Sequence, residues 1–172
     1  AGLVRVDGRE ISRASDAARR AFRVASVGMV FQELELLEYL SVLQNILLPY
    51  RINARLSLTP AARQVALDLA AAAGISHTLG RRPNRLSQGE RQRAAICRSL
   101  AARPRIILAD EPTGNLDPGT GAAIMDLLLA QASAAGATLV MVTHDHSLLG
   151  RFDRTVDVSA FASGAGRRGA RA

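Results

Sequence analysis

The chain has 172 residues, of which 48% are hydrophobic, and this length is enough to bury one core of ordinary size. Its formal net charge is +7, arginine supplies all 22 basic residues because the sequence contains no lysine, and only 3% of the residues are aromatic. The arginines are scattered without base-stacking neighbours, which argues against a nucleic-acid partner, and the single Cys97 excludes an internal disulfide and indicates a reducing setting.

The first half of the chain alternates strand and helix signals. Alternating apolar residues followed by Asp7-Gly8 are typical of a hairpin, and Ser15 is a typical helix cap. Apolar residues then recur at helical spacing up to Pro49. We therefore expect a hairpin over residues 3–11, a helix over 16–23, a strand over 26–31 and a helix over 34–50 that ends at Pro49.

The second half predicts a strand, a helix and a strand in succession. Both strands are apolar throughout, which is typical of a parallel sheet covered on both faces. The Gly-, Ala- and Arg-rich end of the chain predicts a disordered tail. We expect helices over 60–73, 88–102 and 118–134, strands over 105–109 and 137–143, a last strand over 154–158, and the tail over 161–172.

An acidic pair follows one of these strands. Asp110 and Glu111 stand at its carboxyl end, which is where ligands bind in open α/β sheets. The first carboxylate can hold Mg²⁺ through water, and the second can polarise a water that attacks a phosphate. Taken alone, the pair fits equally well the cap of a following helix.

A second polar segment, residues 86–90, opens the helix over 88–102. Ser87 and Gly89 place a hydroxyl and an uncovered backbone at a helix N-terminus, which favours anion binding. The alternative is a capping box, because Glu90 follows Ser87 by three residues.

Five motifs in a fixed order together resemble the ABC ATPase family. The resemblance extends over residues 1–160 and is most similar to the exporter branch of lipoprotein-releasing, macrolide-efflux and cell-division ATPases. The motifs are the Q-loop Val30-Phe31-Gln32, the signature Leu86-Ser87-Gln88-Gly89-Glu90, the Walker B pair Asp110-Glu111, the D-loop Gly114-Asn115-Leu116-Asp117 and the switch segment Thr143-His144-Asp145.

The resemblance implies an α/β fold of the P-loop NTPase (RecA-like) type, with a parallel sheet core and a helical signature subdomain. It also implies a division of the chain into four parts. These are residues 1–33 as a remnant of the N-terminal ATP core with the Q-loop, 34–103 as the helical subdomain with the signature helix, 104–160 as the rest of the ATP core, and 161–172 as the tail.

The family's roles are carried over residue by residue. Glu111, His144 and Gln32 are implied to be catalytic, and Asp110 and Gln32 are implied to hold Mg²⁺. The remaining residues are implied to contact a nucleotide that is bound mainly by the opposite subunit of a dimer, namely Ser87, Gln88, Gly89 and Asp117. By contrast, His77 and His146 match no family motif and are expected on the surface.

The resemblance further implies an ATPase that uses ATP and Mg²⁺ to energise a membrane transporter. Its partners are a transmembrane permease subunit and a second ATP-binding subunit, with no nucleic acid. The segment over 34–49 resembles the face that receives a coupling helix of the permease. The implied location is cytoplasmic, peripheral on the inner face of the cell membrane.

One family motif is absent from the sequence. A P-loop needs Gly-x-x-x-x-Gly-Lys-Ser/Thr, and the 172 residues contain no lysine. In relatives, the strand that residues 3–6 resemble follows the P-loop helix, so we expect an N-terminally truncated fold that is impaired in binding its own ATP. A partner-dependent chain that lends Ser87 and Gly89 to an intact subunit is one alternative, and a catalytically inactive interaction domain is another.

Two other ATPase classes share parts of the pattern. A DNA-repair ATPase usually carries a coiled coil or zinc module before the signature, but only about 54 positions separate Gln32 from Ser87 and no heptads run there. A ribosome-associated tandem ATPase needs a second copy of the motifs, which this sequence does not contain.

Overall fold

The computed structural model describes residues 2–6, 8–31, 34–54, 56–114 and 116–159. The predicted tail over 161–172 lies outside the described residues, as does Gln32 of the predicted Q-loop. The chain divides into two compact units, Ala1–Val142 and Thr143–Ala172, which are described separately below.

The first unit contains short strands, a cluster of helices and a small parallel sheet. Its elements in chain order are β1 (Arg5–Val6), β2 (Arg9–Glu10), α1 (Asp16–Ser26), β3 (Val27–Val30), α2 (Val42–Ile46), α3 (Leu48–Ile52), α4 (Pro60–Ala72), α5 (Gln88–Leu100), β4 (Ile106–Asp110), α6 (Pro118–Ala134) and β5 (Thr138–Val142). Short 3₁₀ turns over Ser76–Thr78 and Pro83–Arg85 lead into α5.

The N-terminal elements follow the sequence signals closely. β1 and β2 form an antiparallel pair in which Arg5 lies opposite Glu10, so the predicted hairpin is confirmed. Ser15 caps α1 by accepting a hydrogen bond from the Ala18 amide at 3.3 Å. The helix continues about one turn beyond the predicted end and passes directly into β3.

A three-stranded parallel sheet with the order β3-β4-β5 forms the centre of the first unit. Val27 pairs with Ile106, and Ile106 pairs in turn with Thr138. The crossover from β4 to β5 passes through α6, as in a βαβ unit. The predicted parallel sheet and the predicted helix over 118–134 are both confirmed.

The prediction that this sheet is covered on both faces is wrong for the described residues. One face packs against α5 and α6 around Val30, Ile107 and Ala109. On the other, Leu108, Val140 and Val142 are 38%, 50% and 62% exposed, and we call this surface the open face. An apolar strand pattern shows that a strand can be buried, but it does not show what covers each side.

The single helix predicted over 34–50 is also wrong. Residues 34–41 are irregular apart from a turn, and two short helices, α2 and α3, follow. Ser41 opens α2 with a capping box to Gln44, and Pro49 lies in the first turn of α3 rather than at a helix end. Proline fits a first helical turn because the amide it lacks is unpaired there in any case.

Helices α4 and α5 complete the helical part of the unit. Thr59 caps α4, whose predicted extent is confirmed, and α5 ends two residues before the predicted position. α5 lies between two cores: Ala94 and Cys97 face α2 and α4, whereas Ile96 and Leu100 face the sheet. Cys97 is buried in this core, and burial raises the pKa of its thiol to about 12.

The second unit begins after β5 with a 3₁₀ helix over His146–Arg151. The predicted strand over 154–158 is wrong, because these residues form no strand. The described part of this unit, residues 143–159, contains no other strand with which a strand over 154–158 could pair. Asp157 instead accepts hydrogen bonds from the amide and the hydroxyl of Ser159, at 2.8 and 2.7 Å. Across the described residues of the chain, no helix is long and apolar enough to cross a membrane.

Candidate functional site

The acidic pair lies at the carboxyl end of β4, as the sequence predicts. Asp110 is the last residue of the strand and is exposed. Glu111 follows with a φ of 43°, in the left-handed region that non-glycine residues seldom occupy, and its amide donates to the Val142 carbonyl at 3.0 Å. Such backbone strain persists only where surrounding contacts enforce it, and it concentrates at functional positions.

The signature segment, residues 86–90, forms the N-terminus of α5. Ser87 is exposed, and its Oγ accepts the Glu90 amide at 3.2 Å. In return, Oε2 of Glu90 accepts the Ser87 amide at 2.7 Å. The capping box considered from the sequence is therefore present, and it holds the Ser87 hydroxyl at a helix N-terminus, where the dipole favours an anion.

His77 lies beside this capping box, a position that no sequence motif predicts. Its exposed ring contacts Glu90 with Nε2 3.0 Å from Oε1. The hydrogen bond from the Ser87 backbone amide, helped by those from the Ser87 and His77 side chains, lowers the pKa of the Glu90 carboxyl. Glu90 therefore remains ionised at neutral pH and ties the 3₁₀ turn over Ser76–Thr78 to the signature segment.

The signature segment and the predicted D-loop meet at two neighbouring helix N-termini. A Cβ added to Gly89 would lie 3.1 Å from Cγ2 of Thr120, so Gly89 and the Thr120 side chain approach closely and a larger residue at Gly89 would require Thr120 to shift. Asp117 caps α6 by accepting the Thr120 amide at 3.0 Å, and the hydrogen bonds from Thr120 lower the pKa of this carboxyl. The N-terminus of α5 and the N-terminus of α6 thus share one surface.

A buried amide connects the signature helix to the acidic pair. Gln92 is 4% exposed, and its Nε2 donates to the Pro112 carbonyl at 2.6 Å, one residue after Glu111. Sequence reasoning missed this residue. Its burial was predictable, because Gln92 is at helical spacing from Ala95, Ile96 and Ser99 and therefore lies on the same buried face of α5.

The remaining predicted site residues are Gln32, Gln88 and His144. Gln32 lies outside the described residues, and Gln88 is described as an exposed residue at the start of α5. His144 is exposed in the second unit, where Thr143 Oγ1 accepts the Asp145 amide at 3.0 Å. Asp145 caps the following 3₁₀ helix, and the hydrogen bonds from Ser147 lower the pKa of its carboxyl.

The donor set fits a Mg²⁺ ion that arrives with nucleotide rather than a metal held by protein alone. Among the residues that the structure describes, no group of three or more His, Cys, Asp or Glu side chains could hold a metal ion. Mg²⁺ keeps several waters and usually takes only one or two carboxylates together with substrate phosphates. An exposed carboxylate at a strand end, such as Asp110, matches that requirement.

Comparison with known sequences identifies the family. Residues 1–114 match the family model described as "ABC transporter". The chain is 41% identical over 156 residues to "Lipoprotein-releasing system ATP-binding protein LolD 2" of Caulobacter vibrioides and 42% identical over 156 residues to the corresponding LolD protein of Jannaschia sp.. Each match covers 91% of this chain and 68% of the relative. The exporter branch predicted from the sequence is the branch to which these relatives belong.

Solved structures agree with this result. The chain superposes with a TM-score of 0.74 and 37% identity on the dimeric ATP-binding cassette MJ0796 in a post-hydrolysis state with ADP and Pi, and with a TM-score of 0.75 on another dimeric structure of that cassette. Both alignments cover 86% of this chain and 65% of the solved chain. The predicted P-loop NTPase fold class is confirmed. The chain therefore belongs to the ABC transporter family, in the class of its ATP-binding subunits, whose members are ATPases.

Proposed function

We propose that this chain is an ATP-binding subunit of a transporter of the lipoprotein-releasing type, and that its signature segment acts on ATP held by the P-loop of a partner subunit. The observation that carries the proposal is the shared surface of the α5 and α6 N-termini, where the Gly89–Thr120 approach brings Ser87 and Asp117 into one region. Both residues are exposed, and Ser87 offers a hydroxyl at a helix N-terminus, which favours a phosphate group.

The relatives support the transport role and the paired arrangement. Those named above are lipoprotein-releasing ATP-binding proteins, and the solved MJ0796 cassettes are dimeric. The chain spans 68% of the length of those relatives and 65% of the solved cassettes. The activity, cargo and partners that we assign to the whole protein are therefore proposals. We place the subunit at the cytoplasmic face of a membrane, bound to a permease.

Each predicted residue keeps a distinct role in the proposal. Ser87, Gln88 and Gly89 contact the γ-phosphate of the partner's nucleotide, and Asp117 lies near the partner's P-loop. Glu111 polarises the attacking water, and its strained backbone at the strand end, fixed by the hydrogen bond from its amide to the Val142 carbonyl, is of the kind that concentrates at functional positions. His144 orients that water, and Gln32 links the site to the permease. Asp110 and Gln32 would hold Mg²⁺, and the ion would supply positive charge that neutralises the phosphates.

The four regions predicted from the sequence correspond to parts of an ATP-binding subunit. Residues 1–33 and 104–160 belong to the ATP core, residues 34–103 to the helical subdomain, and 161–172 to a tail. The separate apolar clusters on the two sides of α5 support a boundary along that helix. In this proposal the nucleotide that Ser87 and Gly89 contact is bound by the P-loop of the partner subunit.

A complementation assay tests the proposal. An ATP-binding subunit that carries a P-loop is inactivated by replacing its own signature serine with arginine, and ATP hydrolysis is measured after this chain is added. We expect hydrolysis to recover with the wild-type chain and to stay at the background level with Ser87→Arg. Ser133→Arg, an exposed position near the end of α6, is the matched control and should support recovery. Equal recovery with Ser87→Arg would contradict the proposal.

A further inference from the structure

The segment over 34–41, which follows the predicted Q-loop, contains no helix or strand but is held firmly by side chains from elsewhere. Asn45 of α2 is fully buried, and its Oδ1 accepts the Leu37 amide at 2.8 Å. Its amide group lies 3.1–3.3 Å from the carbonyls of Leu37, Leu40 and Ser41, to which it donates. One side chain thus fixes the second half of the segment.

The first half of the segment is held by the signature helix. Arg98 of α5 donates from Nη1 to the Glu35 carbonyl at 2.6 Å and from Nη2 to the Leu34 carbonyl at 2.9 Å. Burial lowers the pKa of this guanidinium, whereas the nearby Glu35 charge raises it, and the group stays charged at any physiological pH. A planar guanidinium with several fixed donors suits two successive carbonyls better than a lysine would.

These hydrogen bonds connect segment 34–41 to α5, the helix that begins at the signature segment. Arg98 and Ser87 stand on the same helix, separated by about 16 Å along its axis. Gln92, between them, bonds to the Pro112 carbonyl beside the acidic pair at 2.6 Å. Tyr50 of α3 adds a further connection, because its hydroxyl donates to the Ala101 carbonyl at the end of α5 at 2.7 Å. A displacement of segment 34–41 therefore has a hydrogen-bonded route to α5.

We propose that Arg98 is a positioning residue that couples segment 34–41 to the signature segment through α5. The inference rests on the proposed function, in which Ser87 contacts ATP bound by the partner subunit, and on the resemblance of the segment over 34–49 to the face that receives a coupling helix of the permease. Movement imposed on the segment reaches α5 through the two carbonyls that Arg98 binds. Without this guanidinium the segment remains attached to α2 through Asn45, and Leu36 still packs against the cluster that includes Ala94, but the two hydrogen bonds from the signature helix to the segment are lost.

Hydrogen exchange tests the positioning step in the chain itself. Arg98→Met keeps most of the side-chain bulk and removes the donors. We expect the Leu37 amide, which bonds to Asn45, to exchange up to about tenfold faster in this variant, because a segment held by Asn45 without Arg98 costs less free energy to open locally. The same substitution at Arg63, an exposed residue of α4, is the control and should leave the exchange of this amide unchanged. Unchanged exchange in Arg98→Met would overturn the inference.

ATP hydrolysis by the complex of this chain with the partner subunit that carries a P-loop and with the permease tests the coupling step. The quantity to compare is the ratio of permease-stimulated to basal ATP hydrolysis. A general loss of stability lowers both rates together and leaves this ratio unchanged. We expect Arg98→Met to lower the ratio about tenfold and Arg98→Lys to restore part of it, since lysine can bond one of the two carbonyls. An unchanged ratio in Arg98→Met would overturn the coupling role. A wild-type complex without hydrolysis would instead overturn the proposed function.

Discussion

Glu90 serves two neighbours at once at the signature segment: one carboxylate oxygen accepts the Ser87 amide and the other contacts His77. The spacing of Ser87 and Glu90 predicts the first contact, because three residues separate the members of a capping box. No local pattern predicts the second, since His77 is thirteen positions away and reaches the site through a 3₁₀ turn. The left-handed backbone of Glu111 was equally beyond prediction, because tertiary contacts enforce it.

The lowered pKa of Glu90 makes the stability of α5 depend on pH. Because its folded pKa lies below its unfolded pKa, the stabilisation is complete above the usual pKa of about 4.3 and is lost as pH falls through the lowered folded value. We expect the free energy of unfolding, measured by urea titration, to fall more steeply below about pH 4.3 in the wild type than in Glu90→Gln. Glutamine can still accept the Ser87 amide but does not titrate. Parallel pH curves would contradict this assignment.

At the scale of elements, the long and clearly capped segments were predictable and the short ones were not. Helix α6 has its predicted bounds because Asp117 and Pro118 mark its start and apolar positions continue to its end. The apolar spacing over 34–41 suggested more helix, but the carbonyls of that segment bond to Asn45 and Arg98 instead. The pattern of Ser41 and Gln44, a capping box, was the local signal for the true start of α2.

The crossing of β3 and α5 depends on Gly28. A Cβ added there would lie 2.4 Å from the Ser99 carbonyl oxygen, which is backbone and cannot rotate away. We expect Gly28→Ala to lower the free energy of unfolding by about 2 kcal/mol or more, measured by urea titration. Gly80→Ala is the control, because an added Cβ there meets nothing within 4 Å, and we expect a change below about 0.5 kcal/mol. Similar values for both variants would contradict the close crossing.

At the scale of the whole molecule, the fold class and motif order were accessible from sequence, whereas the covering of the sheet was not. Five ordered motifs identify the family irrespective of how the strands are packed. The open face has the same apolar residues that would line a sheet buried on both sides, so composition cannot distinguish the two cases. The relation of His144 to the acidic pair likewise depends on how two units are arranged and not on a local pattern.

The open face should bind apolar probes in the 172-residue chain. Val140 and Val142 are 50% and 62% exposed on adjacent outward positions of β5, where they form an apolar patch with Leu108. We expect the double variant Val140→Thr/Val142→Thr to reduce the fluorescence of the dye 8-anilinonaphthalene-1-sulfonate while it keeps the strand, because threonine favours strands. Val4→Thr, at a residue 53% exposed, is the control. Equal dye binding by all three proteins would show that the face is covered.

The central claim is that the signature segment of this chain lies against the γ-phosphate of ATP bound by a partner subunit. The most direct measurement is photolabelling with an ATP analogue that carries a reactive group on its γ-phosphate, in the presence of Mg²⁺ and a partner that has a P-loop. The account predicts labelling of this chain within residues 86–90, and only when the partner is present. Labelling confined to the partner, or labelling of this chain without the partner, would contradict it.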